Sequence, residues 1–293
     1  MALDMQYGIP VARTIAELRE AVSAWRKEGL RVGFVPTMGA LHEGHLSLVD
    51  LAGADTDRVV VSIFVNPTQF APGEDFEAYP RTEAADAEKL SSRAHLIFAP
   101  SAAEMYSPDF STSVHVMGVT EDLDGAARPT HFAGVATVVT KLLLAVLPDK
   151  AVFGEKDYQQ LLTIKRMVRD LNIPVEIIGG PTHREEDGLA RSSRNAYLSA
   201  EERQSAGKLN VILRETAHAV AKGAPIAAAT QAGITAIKEA GFQSVDYLEV
   251  RNAETLEPFT SGKPDAPARI LVAARIGKTR LIDKNARGRV GLA

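Results

Sequence analysis

Up to residue 180 the sequence alternates short apolar runs with stretches of helical periodicity, and that alternation limits the fold more than any other feature. Ile15, Leu18, Val22 and Trp25 recur at helical spacing, with Thr14 and Glu17 placed as a capping box, so a first helix is expected to run to about Gly29. Strands are expected at 31–35, 59–65, 95–98, 151–153 and 175–178, separated by helical stretches such as 82–90, 137–147 and 158–171. Strands joined through helices, rather than through tight hairpins, pair in parallel and need cover on both faces.

After Gly179, Gly180 and Pro181 the order changes. Two long helical patterns follow, the first opened by a Ser199/Glu202 capping box, and then strands near 245–250, 270–274 and 280–283. The expectation is an α/β fold: a Rossmann-like parallel sheet with helices on both faces over residues 1–182, plus a smaller C-terminal α+β lid domain over 183–293.

Charge and cysteine usage narrow the function. With 33 Lys and Arg against 37 Asp and Glu, net −4, the chain has no overall basic field, which argues against nucleic acid and anionic membranes as partners. It has no cysteine, which removes disulfides and thiolate metal sites. Its first ten residues do not read as a signal peptide and its longest apolar run, 142–147, is far too short to span a bilayer, so a cytoplasmic protein is expected.

Chemistry concentrates where expected strands give way to helices. Met38, Gly39, Ala40, Leu41, His42, Glu43, Gly44 and His45 carry the chain from the first strand into a helix, where open parallel sheets bind phosphate. The two glycines allow close approach, and the imidazoles, three residues apart, can face one phosphate group. Zinc-binding His-Glu-x-x-His needs a spacing of four and a third ligand, so no protein-held metal is expected. Neither a Gly-x-x-x-x-Gly-Lys-Ser/Thr loop nor a Gly-x-Gly-x-x-Gly loop occurs. A second strand-to-helix turn contains Gly154, Glu155, Lys156 and Asp157, with Gln160 in the first helical turn; Lys156 suits phosphate oxygens and Asp157 could cap the helix or hold a metal-nucleotide. Arg191, Ser192, Ser193, Arg194 and Asn195 form a candidate anion clamp beyond the domain boundary. Gln69 sits between Phe64 and Phe70, a mixture suited to a small hydroxy acid. Arg128 to Phe132 and Tyr79 to Arg81 are conspicuous, but spacing gives them no role.

In this order the stretches 36–45, 64–70, 79–81, 128–134, 153–160 and 192–195 make the sequence resemble the pantothenate synthetase family, which joins pantoate to β-alanine with ATP. The resemblance implies a two-step reaction through a pantoyl adenylate, releasing pyrophosphate and then AMP. It implies ATP binding by Met38 through His45, Gly154 through Asp157, His183, Arg191, Ser192, Ser193 and Arg194, with His45, His42, Lys156 and Arg194 catalytic. Gln69 and Gln160 would hold pantoate, Gln69 also lying near β-alanine; Mg2+ and a homodimer are further implications. The chain departs from the family pattern at His183 and Arg191, where apolar residues are usual. A nucleotidyltransferase, a class I aminoacyl-tRNA synthetase and a non-catalytic nucleotide sensor are the rival readings, and only the ligase yields AMP together with a stable amide.

Overall fold

A computed structural model describes residues 3–284; Met1, Ala2 and the last nine residues of the expected second domain lie outside the described residues. The first strand, β1 (Val11–Ala12), precedes α1 (Ile15–Lys27), which opens on the expected Thr14/Glu17 capping box. Then come β2 (Val32–Thr37), α2 (Glu43–Gly53), β3 (Arg58–Ile63), a 3-10 turn at Pro67–Gln69, α3 (Glu83–Leu90) and β4 (Leu96–Phe98). Two single-turn helices, α4 (Ala102–Met105) and α5 (Asp124–Ala127), lead to α6 (His131–Val146), β5 (Lys150–Gly154), α7 (Tyr158–Asp170) and β6 (Glu176–Gly180).

These strands form one parallel sheet in the order β1-β4-β3-β2-β5-β6. Alternate residues of each strand face opposite layers. Phe34, Val60 and Phe98 pack under α1, α6 and α7 with Leu18, Leu143 and Ile164, while Val35, Val61 and Ile97 pack under α2 and α3 with Val49, Ala87 and Leu90. From β2 the chain winds outward to β4, then crosses through α6 to β5 on the other side of β2. Direction therefore reverses between β2 and β5, and ligands in open α/β sheets bind at such a reversal, beyond the carboxyl ends of the strands. The β2–β5 ladder is registered only at Gly33–Lys150 and Phe34–Ala151, so the carboxyl ends of the two strands lie side by side without a ladder between them.

Beyond β6, a 3-10 turn at Ser193–Tyr197 leads to α8 (Ala200–Ala206), α9 (Lys208–Ala221) and α10 (Ile226–Glu239). An antiparallel sheet of β7 (Ser244–Asn252), β8 (Ala268–Ile276) and β9 (Thr279–Lys284) follows. Leu209, Leu213, Ile237, Leu248, Ile270 and Val272 give this lobe its own core. Between the lobes the Tyr158 hydroxyl donates to the Ala253 carbonyl at 2.7 Å, Arg280 pairs with Asp124 at 2.6 Å and Lys284 with Glu155 at 2.5 Å.

Three elements differ from expectation. Helix α6 starts six residues early because most of its circumference is buried, which erases the one-sided pattern that marks a surface helix. The first helical pattern of the second lobe is two helices: Ser199 and Glu202 form the expected box at α8, and Gly207, still in the right-handed helical region, separates it from α9. Strand β1 has only two residues, too few to show a period, and owes its place to parallel pairing with β4.

Candidate functional site

A cavity of about 720 Å³ opens where β2 and β5 part, roofed by the second lobe and within the range of small-molecule sites.

One wall is the turn between β2 and α2. The Thr37 hydroxyl donates to the Ser62 carbonyl at 2.7 Å and accepts the Gly39 N–H at 3.1 Å. Gly39 (φ 82°) and Ala40 (φ 51°) are consecutive left-handed residues, a conformation that costs about 1–2 kcal/mol at Ala40. Backbone contacts from α3 hold it: the Asp86 carboxylate accepts the Ala40 and Leu41 N–H groups at 2.9 and 2.8 Å, and Lys89 donates to the Leu41 carbonyl at 2.7 Å.

His42 then caps α2. Its Nδ1 accepts the Gly44 N–H at 3.1 Å, and His45 Nδ1 accepts the His42 N–H at 3.3 Å. This is a capping box in which two imidazoles replace the usual hydroxyl and carboxylate. A backbone N–H can only donate, so both Nδ1 atoms are unprotonated and each neutral ring carries its proton on Nε2. The ring centroids are 4.1 Å apart. A side chain at Gly44 would stand 2.9 Å from His42 Cε1, so the fold-back of His42 requires a glycine there.

Burial, followed by the positive charges of Lys156 and Arg191, lowers the His42 pKa to about 4. Burial, then His42 and Lys156, lowers His45 to about 3. Both rings are thus neutral hydrogen-bond donors at neutral pH, fixed before any ligand arrives. Donors of that kind favour charge developing on phosphate oxygens.

The second wall begins where β5 ends. Glu155 turns away to Lys284, whereas Lys156, Asp157 and Gln160 line the cavity. Asp157 occupies the N-cap position of α7 but makes no side-chain capping bond. Of the cavity's carboxylates among the described residues, Glu74, Asp75, Asp124 and Asp283 are each paired with an arginine, while no ion pair engages Asp157.

Gln69 shares the cavity lining with the apolar side chains of Phe64, Val135, Val139 and Leu142. Its side-chain oxygen accepts from Asn66 at 3.1 Å, and Asn66, 1% exposed, also donates to the Gly134 carbonyl at 3.2 Å and accepts the Tyr106 hydroxyl at 2.8 Å. The backbone carbonyl of Gln69 accepts from His131 Nδ1 at 2.9 Å and from Arg128 at 3.3 Å. Burial, then Arg128, lowers the pKa of His131 to about 4, so this ring too is neutral, with its proton on Nδ1. A side chain at Gly134 would meet the Thr68 carbonyl at 2.4 Å; its absence lets α6 seat directly on the 3-10 turn.

The third wall comes from the segment between the lobes. Arg191 pairs with Glu185 at 3.0 Å, Arg194 with Asp75 at 2.9 Å, and Ser193 Oγ lies 3.4 Å from the Tyr79 hydroxyl. Thr182 Oγ1, Arg191 Nε and Asn195 Oδ1 on this wall are buried without a protein partner, the state of groups that await a polar ligand or water.

One cavity therefore gathers Met38, His42, Gly44, His45, Gln69, Gly154, Lys156, Asp157, Gln160, His183, Arg191, Ser192, Ser193 and Arg194. Gly39, Ala40, Leu41, Glu43 and Glu155 are not on its walls: the amides of Ala40 and Leu41 face Asp86, and Glu43 is exposed. Sequence reasoning gave no role to Asn66, Asp86, Tyr106, Arg128, His131 or Gly134. The stretch from Arg128 to Phe132 was conspicuous by composition; Asp86 and Tyr106, acting from distant parts of the chain, carried no local signal.

The sequence model of the family described as pantoate-beta-alanine ligase matches residues 10–286. The chain is 60% identical to the pantothenate synthetase of Caulobacter vibrioides over 280 residues, 95% of this chain and 98% of the relative. It is 58% identical to that of Rhodospirillum rubrum, covering 94% and 98%. Among solved structures, pantothenate synthetase from Thermus thermophilus superposes with a TM-score of 0.88 at 48% identity, covering 94% of this chain and 98% of that one. Pantoate-beta-alanine ligase from Francisella tularensis, complexed with beta-gamma ATP and beta-alanine, gives 0.80 at 34% identity, covering 95% and 97%.

Proposed function

The chain belongs to the pantoate-β-alanine ligase family, and from that premise we propose how its cavity carries out the reaction. The enzyme joins pantoate to β-alanine at the expense of ATP. In the first step a pantoate carboxylate oxygen attacks the α-phosphorus, the bond to the β-phosphate bridging oxygen breaks, and pyrophosphate leaves. In the second, the free amine of β-alanine attacks the acyl carbon of pantoyl adenylate, the bond to AMP breaks, and the amine gives up a proton as the amide forms.

The observation that carries this assignment is the meeting, at the β2/β5 reversal, of two neutral Nε2–H donors and Lys156 with a glutamine-lined apolar pocket. His45 and His42 donate to oxygens of the reacting phosphate, whose charge grows as the bond to pyrophosphate lengthens. Lys156 and Arg194 hold the triphosphate, with Ser192, Ser193, His183 and Arg191 around it. Gln69 and Gln160 orient pantoate against the apolar wall, and Gln69 also borders the β-alanine position. Residues 1–182 supply the adenylation chemistry and 183–293 the lid.

Mg2+ fits this donor set as a companion of the nucleotide. The described residues contain no cluster of three or more metal-ligating side chains, and magnesium ordinarily keeps waters and substrate phosphates as ligands, needing only one or two carboxylates. Asp157 is the carboxylate left to meet it, and the ion would neutralise charge on the departing pyrophosphate. The family resemblance further supports a homodimer. No helix among the described residues is long and apolar enough to cross a membrane, and a cytoplasmic enzyme accords with an ATP-consuming reaction.

A product assay tests the proposal. With ATP and pantoate the enzyme releases pyrophosphate once per site; adding β-alanine yields AMP and a stable amide in equal amounts. Formation of a product that retains the nucleotide, or no pyrophosphate at all, would refute it.

A further inference from the structure

Asp86 is wholly buried on α3, and the reaction as drawn gives it no task. Its Oδ2 accepts the Ala40 N–H at 2.9 Å and the Thr82 hydroxyl at 3.1 Å; its Oδ1 accepts the Leu41 N–H at 2.8 Å. One helical turn along α3, Lys89 donates to the Leu41 carbonyl at 2.7 Å. Together these side chains grip both polar groups of the residue immediately before His42.

The gripped backbone is the stretch least able to hold itself, two successive left-handed residues of which only one is a glycine. A buried carboxylate is stable only when its lone pairs are occupied, and here the occupants are the two amides of that turn together with the Thr82 hydroxyl. The next amide along, that of His42, donates to His45 Nδ1. A short relay of bonds thus runs from Asp86 through the Leu41 backbone and the His42 N–H to the ring of His45.

We propose that Asp86 is the positioning residue for adenylation: through the Ala40 and Leu41 amides it sets where α2 begins, and hence where the Nε2–H groups of His42 and His45 point. Lys89 assists from the carbonyl side. The inference rests on the functional reading above, in which those two rings face the reacting phosphate. It also reverses the ordinary expectation for a glycine-containing turn at a helix start, since these two N–H groups serve the scaffold and leave anion recognition to side chains.

The test uses Asp86→Asn and Lys89→Met in the full chain. Asparagine keeps the shape but turns an NH2 toward one of two N–H donors. The folded Asp86→Asn enzyme is expected to bind ATP within about threefold of the wild-type Kd, while pyrophosphate release from ATP and pantoate falls about a hundredfold, the scale of a displacement near 1 Å. Nitrogen-15 spectra of the imidazoles should show His45 losing its single Nε2–H tautomer, a change that a merely structural residue would not cause. Lys89→Met, on an exposed side chain, is expected to slow the same step by about five- to tenfold with ATP affinity unchanged, and it decides the matter should Asp86→Asn not fold. Wild-type rates and tautomers in a folded variant, or an ATP affinity that falls in step with the rate, would overturn the proposal. Failure of the wild-type enzyme to release pyrophosphate would instead sink the functional reading, and the spectra, which need no substrate, would still decide the role of Asp86.

Discussion

The wall built on the sheet and the wall built on the segment between the lobes treat positive charge and polar hydrogen differently. On the sheet side, backbone amides occupy both Nδ1 atoms, so the Nε2 protons of His42 and His45 are fixed in the absence of any ligand. On the segment between the lobes, Arg191 is bound to Glu185 and Arg194 to Asp75. Elements rooted in a sheet can hold bare donors ready, because the backbone that aims them is rigid. Cations on a loop repel one another and are kept here on carboxylates; in the proposed reaction a polyphosphate takes the carboxylates' place. On that reading, binding through these arginines is an exchange of partners with a small net gain, whereas the sheet side acts on the transition state without rearrangement.

The sharpest test of this contrast is His45→Ala, expected to slow pyrophosphate release by about a hundredfold or more, the scale of losing one preorganised donor. A near-normal rate in a single-turnover assay would remove the distinction between the walls. Gly44→Ala leaves both imidazoles in the chain but pushes the His42 ring from its cap; a loss of about tenfold in the same assay is expected, together with about 1 kcal/mol of stability from the broken cap. Asp75→Asn works on the other wall by releasing Arg194 from its competitor. It should tighten ATP binding by about threefold in a calorimetric titration, and weaker binding would mean that the ion pair shapes the site rather than stores a cation.

The same neutral rings also bear on folding. Burial keeps His42, His45 and His131 neutral in the native state down to about pH 4 or below, while in the unfolded chain an imidazole takes up its proton near pH 6.5. Native pKa values are depressed, so the unfolded state binds more protons between those limits and stability falls as the pH is lowered from 6.5 toward 4. Each ring contributes at most about 1.4 kcal/mol per pH unit. Urea midpoints at pH 7 and pH 5 check this, and identical midpoints would contradict it.

Much of the contrast could be read from sequence, for a physical reason. A strand-turn-helix junction in a parallel sheet is local in the chain, so the placement of His42, His45, Lys156 and Gln160 follows from hydrophobic periodicity and sheet topology alone. The capping boxes of α1 and α8 were likewise legible, because a cap is a contact over three residues. What escaped were contacts over long sequence distances. Asp86 reaches back 45 residues to Leu41, and Tyr106 and Gly134 meet at Asn66. The carboxylate partners of Arg191 and Arg194 were hidden too, since no local pattern reports which acid an arginine will choose.

The seat of α6 on the turn at Thr68 and Gln69 has a consequence for substrate range. On the proposed reading the width of the acid-binding end is gauged by a missing methyl group: any residue but glycine at 134 must shift either the helix or the turn, and with the turn goes the carbonyl that His131 and Arg128 hold. That end of the cavity cannot be enlarged from the turn without losing its polar grip. Room for a bulkier acid has to come from further along α6, by trimming Val138, Val139 or Leu142, so on the proposed reading a hunt for altered acid preference should start on those three side chains and leave position 134 alone.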